Sequence, residues 1–220
     1  MTPLSHRRSK VVLRRMFRQA QAGLISQSHC ATRWCTCPGD LETDTGVWTE
    51  EGVTVSTRKG KEKDMADVKR EFGVIGLGRM GANLALQALE KGMQVVGFDI
   101  KGVPEELIRA GMVAIFGVEG FRENLSPPRP ILIYIPAGPS VDRVIDDLVP
   151  RLDKGDVVVD AGNSYWGDSI RCHRRLAKKG IHLVDLGTSG GVEGARHGAC
   201  FMAGGEEEAM ARVEQILIYR

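Results

Sequence analysis

The chain has 220 residues, of which 42% are hydrophobic and 26% charged, and its formal net charge is +2 at pH 7. These values are typical of a globular protein with one full domain and an appendage, and so small a charge gives no reason to expect nucleic acid as a partner. No apolar run approaches the roughly 20 residues that span a bilayer, which argues against a membrane partner.

The first 70 residues show no persistent helical or strand period, and residues 1–39 contain seven basic side chains and no acidic one. We interpret residues 1–70 as a disordered basic tail. Two alternatives stay open. The favoured one is an extension that is not normally translated, because Met65 stands shortly before the first predicted strand. The other is an organellar transit peptide. No apolar stretch of signal-peptide length follows Arg7-Arg8, so we expect a cytoplasmic protein.

The cysteines give no disulfide framework, because their number is odd and their spacing irregular. They are Cys30, Cys35, Cys37, Cys172 and Cys200. The first three fit no usual zinc spacing, and we therefore predict no metal site.

From Phe72 onward, short apolar runs alternate with helical patterns. We predict strands at 72–77, 94–99, 113–116, 131–135, 156–160 and 181–186, and helices at 79–91, 140–152, 167–179 and 206–218. Strands that alternate with helices indicate βαβ units and a parallel sheet. We therefore predict an α/β domain over residues 71–220, with a doubly wound, mainly parallel sheet of the Rossmann type.

A glycine-rich loop, Gly76-Leu77-Gly78-Arg79-Met80-Gly81, follows the first of these strands directly and opens the first helix. In this context, the first glycine permits a tight turn, the second lets the backbone approach a pyrophosphate, and the third allows close packing of helix on strand. The helix N-terminus offers free amides to the phosphates. The loop therefore predicts a dinucleotide site, with a ligand-free glycine turn as the alternative.

Asp99 ends the second predicted strand, 18 residues after Gly81. A carboxylate there would accept hydrogen bonds from the adenosine ribose and repel a 2′-phosphate, which favours NAD over NADP. Lys101 lies nearby, and its ammonium group would offset part of that repulsion.

Three segments stand out in chain order: residues 73–83, Asp160-Ala161-Gly162-Asn163-Ser164-Tyr165, and residues 189–196, which read Ser-Gly-Gly-Val-Glu-Gly-Ala-Arg. Taken together, they resemble the successive signatures of 6-phosphogluconate dehydrogenase. The likeness covers about residues 73–210, the N-terminal domain of that family. Three motifs in the right order and spacing are much harder to obtain by chance than one.

The resemblance implies a role for each segment. Asn163 would contact both the nicotinamide half of the cofactor and the substrate, as the one contributing catalytic residue. Ser189, Gly190 and Gly191 would hold the carboxylate end of the sugar acid. The loop Ile135-Pro136-Ala137-Gly138-Pro139 would pack against the nicotinamide ring. From the residues alone, Asn163 is equally well interpreted as the N-cap of a helix and Ser189–Gly191 as a flexible turn.

Val192 departs from the family pattern, because the long-chain NADP enzymes usually carry an acidic residue there. The sequence therefore resembles the shorter, NAD-linked branch. We expect surface or packing roles for the remaining polar or reactive side chains of this half, which are Arg196, His197, His173, His182, Trp166 and Cys200.

The resemblance implies oxidation of 6-phosphogluconate, or a similar sugar acid, to ribulose 5-phosphate and carbon dioxide. The family's general-base lysine lies on a Lys-x-x-His-Asn-Gly motif in a helical second domain, and this sequence contains no such motif. We therefore expect a truncated chain that binds NAD without completing the reaction, with most of the family's dimer interface missing and an apolar patch left exposed.

Two alternatives stay open. One is another β-hydroxyacid dehydrogenase, such as a 3-hydroxyisobutyrate dehydrogenase, although the segment Gly162-Asn163-Ser164-Tyr165 favours phosphogluconate. The other is a non-catalytic NAD-binding module or a gene fragment.

Overall fold

The computed structural model describes residues 70–217 together with three backbone segments, 10–13, 46–49 and 52–55. The chain divides into two compact units, one made of residues 1–15 and 70–220 and the other of residues 16–69. The strands are β1 Lys10–Leu13, β2 Gly46–Thr49, β3 Gly52–Val55, β4 Glu71–Ile75, β5 Gln94–Phe98, β6 Val113–Ala114, β7 Pro130–Ile133, β8 Val157–Asp160, β9 His182–Ser189 and β10 Cys200–Gly205. The helices are α1 Arg79–Glu90, α2 Glu105–Arg109, α3 Gly120–Asn124, α4 Pro139–Leu148, α5 Trp166–Ala177, α6 Gly191–His197 and α7 Glu207–Leu217, and a 3₁₀ turn, Val149–Arg151, follows α4.

The larger unit contains an eight-stranded sheet with the order β1-β10-β9-β8-β7-β4-β5-β6. The six consecutive strands from β9 to the edge strand β6 are parallel and have the strand order expected of a doubly wound sheet. This confirms the predicted fold class and all six predicted strands. From β4 the sheet continues to β5 and β6 on one side and to β7, β8 and β9 on the other, so the order of the strands switches sides between β4 and β7. Open α/β sheets bind ligands at the carboxyl edge next to such a switch point.

Two layers of helices bury the faces of this sheet. On one face, Phe72, Val74 and Leu132 pack with Leu84 of α1 and Val213 of α7. On the other, the core is formed by Ile131, Ile133, Val158, Ile145 and Leu176, the last two from α4 and α5. Because both faces are covered, β4, β7 and β8 are uniformly buried, which explains why their residues are mainly apolar, apart from the buried Glu71 and Asp160 at strand ends.

Strand β10 was not predicted. It runs antiparallel to β9, from Cys200 opposite Ser189 to Gly205 opposite Val184. Half of its residues are alanine or glycine, which have low strand propensity, so the sequence gives little sign of it. The unpaired edge of β9 supplies the hydrogen-bonding groups that hold it in place.

Three short strands lie within the segment 1–70, where no regular structure was expected. Strand β1 pairs in parallel with β10, and in the smaller unit β2 pairs antiparallel with β3. All three are rich in valine or threonine, which favour extended backbone. The other residues up to 69, including Cys30, Cys35, Cys37 and Met65, lie outside the described residues, and the tail's disorder and translation stay predictions.

Candidate functional site

The glycine loop joins β4 to α1 at the carboxyl edge of the sheet. Gly76 has φ of +92°, and a β-carbon there would lie 2.5 Å from Tyr134 O. A β-carbon on Gly81 would lie 2.0 Å from Gly76 O. Both glycines are therefore required by the fold itself, the first for a left-handed turn and the second for close approach of the helix.

Gly78 differs from these two glycines. Its φ is −71°, which any residue adopts, and a β-carbon there would meet no atom within 4 Å. Gly78 is also the N-cap of α1, with no side chain capping the helix and no acidic residue in its first turn. The loop thus presents uncovered backbone amides and the positive end of the helix dipole to an open space, which suits an anion.

Asp99, directly after β5, is tied to the glycine loop by its carboxylate. Its Oδ2 accepts a hydrogen bond of 2.7 Å from the Leu77 amide, and its Oδ1 accepts one of 2.8 Å from the Lys101 amide. A carboxylate has about four acceptor positions, so room for ribose hydroxyls remains. The sequence analysis anticipated the acidic residue but not its bond to the loop.

Two large apolar side chains stand in solvent beyond β5 and β6. Ile100 is 90% exposed and Phe116 is 100% exposed. Their strands are adjacent, and both residues follow the carboxyl ends. The sequence analysis did not select them, because in a sequence such residues are indistinguishable from core residues.

The loops after β7 and β8 pack against each other beside the glycine loop. A β-carbon on Gly162 would lie 2.4 Å from Ile135 O, and one on Gly76 would lie 2.8 Å from Ile135 Cγ2. The fold therefore brings the predicted segments 76–81, 135–139 and 161–165 to one place. Pro136 and Ala137 are exposed there.

Asn163 is exposed at this edge with φ of +60°, in the left-handed region that asparagine tolerates best among residues with a β-carbon. The interpretation of Asn163 as a helix N-cap is wrong, because α5 begins at Trp166 with Tyr165 as its N-cap. N-cap residues typically have extended backbone, which Asn163 does not have. The next side chain, Ser164, buries its hydroxyl without a hydrogen-bond partner.

Beneath this loop, the carboxylates of Asp160 and Asp185 occupy paired positions on β8 and β9. Asp160 Oδ1 accepts a 3.0 Å hydrogen bond from the Gly162 amide and so holds the turn that leads to Asn163. Burial raises the pKa of Asp185, and the neighbouring Asp160 carboxylate raises it further.

The segment Ser189–Gly191 forms the junction between β9 and α6. Gly190 and Gly191 have φ of +112° and +59°, and all three residues are exposed. Helix α6 was not predicted, since three of its seven residues are glycine or alanine. Arg196 at its end donates to both Glu90 oxygens on α1, at 2.7 and 2.5 Å, and this ion pair lowers the pKa of Glu90. The turn is therefore fastened to the helix that starts at the glycine loop, and Arg196 has the packing role that was one of the two expected for it.

Tyr134, directly after β7, joins the two halves of the site. Its amide donates to Ile75 O at 2.7 Å, and its hydroxyl lies 3.0 Å from Thr188 Oγ1, next to Ser189. Burial raises the pKa of Tyr134 to about 12, so the phenol stays protonated at neutral pH. The sequence analysis missed this residue, which stands in an apolar strand sequence with no motif of its own.

The remaining polar candidates lie elsewhere or make local contacts. His182 begins β9 at the opposite edge, where it hydrogen-bonds Glu206, and His173 Nε2 lies 3.7 Å from the same carboxylate. His197 Nε2 lies 3.7 Å from Glu193 within α6. Trp166 is exposed, and its ring centroid lies 5.1 Å from that of Tyr165.

Within residues 70–217, no three His, Cys, Asp or Glu side chains are grouped as metal ligands would be. In the same part of the chain, no helix combines the length and apolar character needed to cross a membrane.

The doubly wound sheet, the glycine loop at the switch point and the carboxylate after β5 define a dinucleotide-binding domain of the Rossmann class. Residues 71–219 match the family model described as the NAD binding domain of 6-phosphogluconate dehydrogenase. The chain belongs to this family, which confirms the resemblance found in the sequence and makes a nicotinamide cofactor the ligand class of the domain.

Curated relatives share this region. YqeC of Bacillus subtilis, provisionally named a 6-phosphogluconate dehydrogenase, is 44% identical over 147 residues, which are 66% of this chain and 49% of that protein. The decarboxylating 6-phosphogluconate dehydrogenase of Haemophilus ducreyi is 40% identical over 156 residues, or 68% of this chain and 32% of that enzyme. The chain thus spans between a third and half of the length of these relatives.

Solved structures of dehydrogenases also align with about two thirds of this chain. The Plasmodium falciparum 6-phosphogluconate dehydrogenase, studied with NADP⁺ and with 6-phosphogluconate, is 33% identical with a TM-score of 0.61, over 67% of this chain and 33% of that one. A 3-hydroxyisobutyrate dehydrogenase from Salmonella typhimurium has a TM-score of 0.60 at 24% identity, over 67% of this chain and 52% of that one. The second likeness shows a shared fold alone.

Proposed function

We propose that residues 71–217 bind NAD, with its pyrophosphate over the glycine loop and its nicotinamide end toward Asn163, and that this domain serves the oxidation of 6-phosphogluconate or a similar sugar acid. The observation that carries the proposal is Gly78. The fold explains the glycines at 76 and 81, whereas no atom of the described residues lies within 4 Å of a β-carbon placed on Gly78. A ligand that contacts the backbone explains why a side chain is absent there.

Asp99 supports NAD over NADP. Its carboxylate lies at the end of β5, where the adenosine ribose of a dinucleotide would be held, and its two backbone bonds fix it in that position. A 2′-phosphate placed there would bring two negative charges together, at a cost of the order of 1–4 kcal/mol at about 4 Å. The Lys101 side chain is exposed and therefore offsets little of this repulsion.

Ile100 and Phe116 support a place for the adenine ring at the same end of the site. Both are large, apolar and exposed beyond strands β5 and β6. Stacking of a base on an aromatic side chain contributes about 1–3 kcal/mol. An adenine ring between the two residues would remove apolar surface from water.

Asn163 and the Ser189–Gly191 turn support the sugar-acid assignment. The asparagine amide offers donors and an acceptor together, so it can orient the nicotinamide end and a substrate hydroxyl. The Ser189 hydroxyl and the exposed amides of the turn can donate to a carboxylate. A bound nicotinamide supplies a hydride acceptor, and we assign no general base to the described residues.

Calorimetric titration tests both parts of the proposal. With NAD at saturation, we expect 6-phosphogluconate to bind at least about tenfold more tightly than 3-hydroxyisobutyrate. Asn163→Ala should abolish that preference, whereas Asn124→Ala should retain it, because the Asn124 amide donates to Gly120 O within α3. Tighter binding of 3-hydroxyisobutyrate would favour the other β-hydroxyacid dehydrogenases instead.

A further inference from the structure

Tyr134 is placed to connect the cofactor loop with the substrate turn. Its backbone and β-carbon lie directly under the glycine loop. A β-carbon on Gly76 would be 2.5 Å from Tyr134 O, and one on Gly81 would be 3.2 Å from Tyr134 Cβ. The side chain of Tyr134 therefore starts at the base of the loop, so any shift of the loop changes the packing around the Tyr134 backbone and β-carbon.

The other end of this side chain reaches the substrate turn. Strand β8 lies between β7 and β9 in the sheet, yet the Tyr134 hydroxyl spans it and lies 3.0 Å from Thr188 Oγ1 on β9. Thr188 pairs with Phe201 of β10, so its backbone is fixed, and the residue after it is Ser189. The hydrogen bond thus acts within the last two paired residues of β9, because Ser189 pairs with Cys200 and the strand pairing ends there.

We propose that Tyr134 is a positioning residue: through Thr188 it sets the Ser189–Gly191 turn according to the occupancy of the glycine loop, so that binding of the adenosine pyrophosphate prepares the turn for a sugar acid. This inference rests on the proposed function. A partly buried chain of packed and hydrogen-bonded groups is the kind of link that carries such coupling, and the coupling must be reciprocal in binding free energy.

The test uses the full chain labelled with ¹⁵N and titrated with ADP. ADP carries the adenosine and pyrophosphate but no nicotinamide, so it does not contact the turn directly. In the wild type, we expect the amide signals of Gly190 and Gly191 to shift with the same dissociation constant as those of Gly76 and Gly78.

In Tyr134→Phe, the glycine-loop shifts should persist with an affinity within about twofold of wild type, while the shifts of Gly190 and Gly191 should fall by at least half. Thr188→Val should give the same loss, and the double variant no further loss, because both changes remove one interaction. Ser140→Ala is the control, because Ser140 is an exposed residue of α4 outside the three segments of the site, and its hydroxyl forms none of these contacts.

Turn shifts of full size in Tyr134→Phe, or turn signals that do not respond in the wild type, would overturn the inference and leave cofactor binding intact. Glycine-loop signals that do not respond to ADP would overturn the proposed function itself, and the inference with it. Equal melting temperatures of the four variants and the wild type exclude unfolding as the cause.

Discussion

The substitution Gly78→Ala tests whether glycine is required at this position by the fold or by ligand binding. The new methyl group meets no atom of the described residues within 4 Å, and the backbone at Gly78 is already in a region open to alanine. Alanine is a poorer N-cap than glycine but also restricts the unfolded chain, and these effects oppose each other, so the free energy of unfolding should change by less than about 1 kcal/mol.

Dinucleotide binding should suffer much more. A methyl group at Gly78 would stand between the loop and the pyrophosphate and remove at least one hydrogen bond to a charged group, which is worth about 1.5–3 kcal/mol. The dissociation constant for NAD should rise by about 10- to 150-fold. Calorimetric titration with NAD measures the loss, and thermal denaturation without ligand measures stability.

Gly81→Ala is the contrasting variant. Its methyl group would lie 2.0 Å from Gly76 O, so the helix must move and the free energy of unfolding should fall by about 1–3 kcal/mol. That corresponds to a melting temperature lower by about 2–12 °C. If Gly78→Ala bound NAD as the wild type does, or lost as much stability as Gly81→Ala, the reasoning about the loop would be refuted.

Three further predictions concern the surroundings of the loop. Asp99→Asn should shift the NAD to NADP affinity ratio toward NADP by about tenfold, because it removes the charge that opposes a 2′-phosphate. The control Lys101→Ala keeps the backbone amide that donates to Asp99 and should leave that ratio within about threefold of wild type. An unchanged ratio in Asp99→Asn would exclude the carboxylate as the group that selects NAD. Phe116→Ala should leave the melting temperature unchanged, since the ring is fully exposed. It should weaken the binding of NAD several-fold and leave the affinity for nicotinamide mononucleotide, which has no adenine, unchanged. Equal losses of affinity for both ligands would place Phe116 away from the adenine. Asp185→Asn should raise the melting temperature at pH 7. The pKa of Asp185 is raised in the folded state, so its protonated carboxyl contributes stability below the ordinary pKa of 3.8, and this contribution is lost as the pH rises through the folded-state pKa. In melting curves recorded over a series of pH values, the increase in melting temperature caused by Asp185→Asn should therefore vanish below about pH 3.8.

The order of the sheet could be predicted from the sequence because its central strands and the helices between them follow simple periodic patterns. β4, β7 and β8 are mainly apolar, with charged residues only at the start of β4 and the end of β8, and α1 has an apolar face that ends at a glycine turn. What escaped prediction depends on tertiary contacts. β10 and α6 are rich in glycine and alanine, and they form because β9 offers an edge and because Arg196 pairs with Glu90.

The residues of the site that belong to sequence motifs could be predicted, whereas the contacts that depend on the folded structure could not. The segment 76–81, Asp99 and Asn163 could be selected from residue type and position. The left-handed backbone of Asn163, the bond from the Leu77 amide to Asp99 and the reach of Tyr134 across β8 could not, because each depends on the placement of two strands. Exposure likewise distinguishes Phe116 from the core only once the fold is known.

The most direct test of the central claim is calorimetric titration of the unmodified chain with NAD and, in parallel, with NADP. A nicotinamide dinucleotide site of the kind described predicts saturable 1:1 binding of NAD, with a dissociation constant below about 1 mM, and NADP weaker by at least about tenfold. A folded chain that gives no saturable signal with either dinucleotide up to about 10 mM would contradict the account.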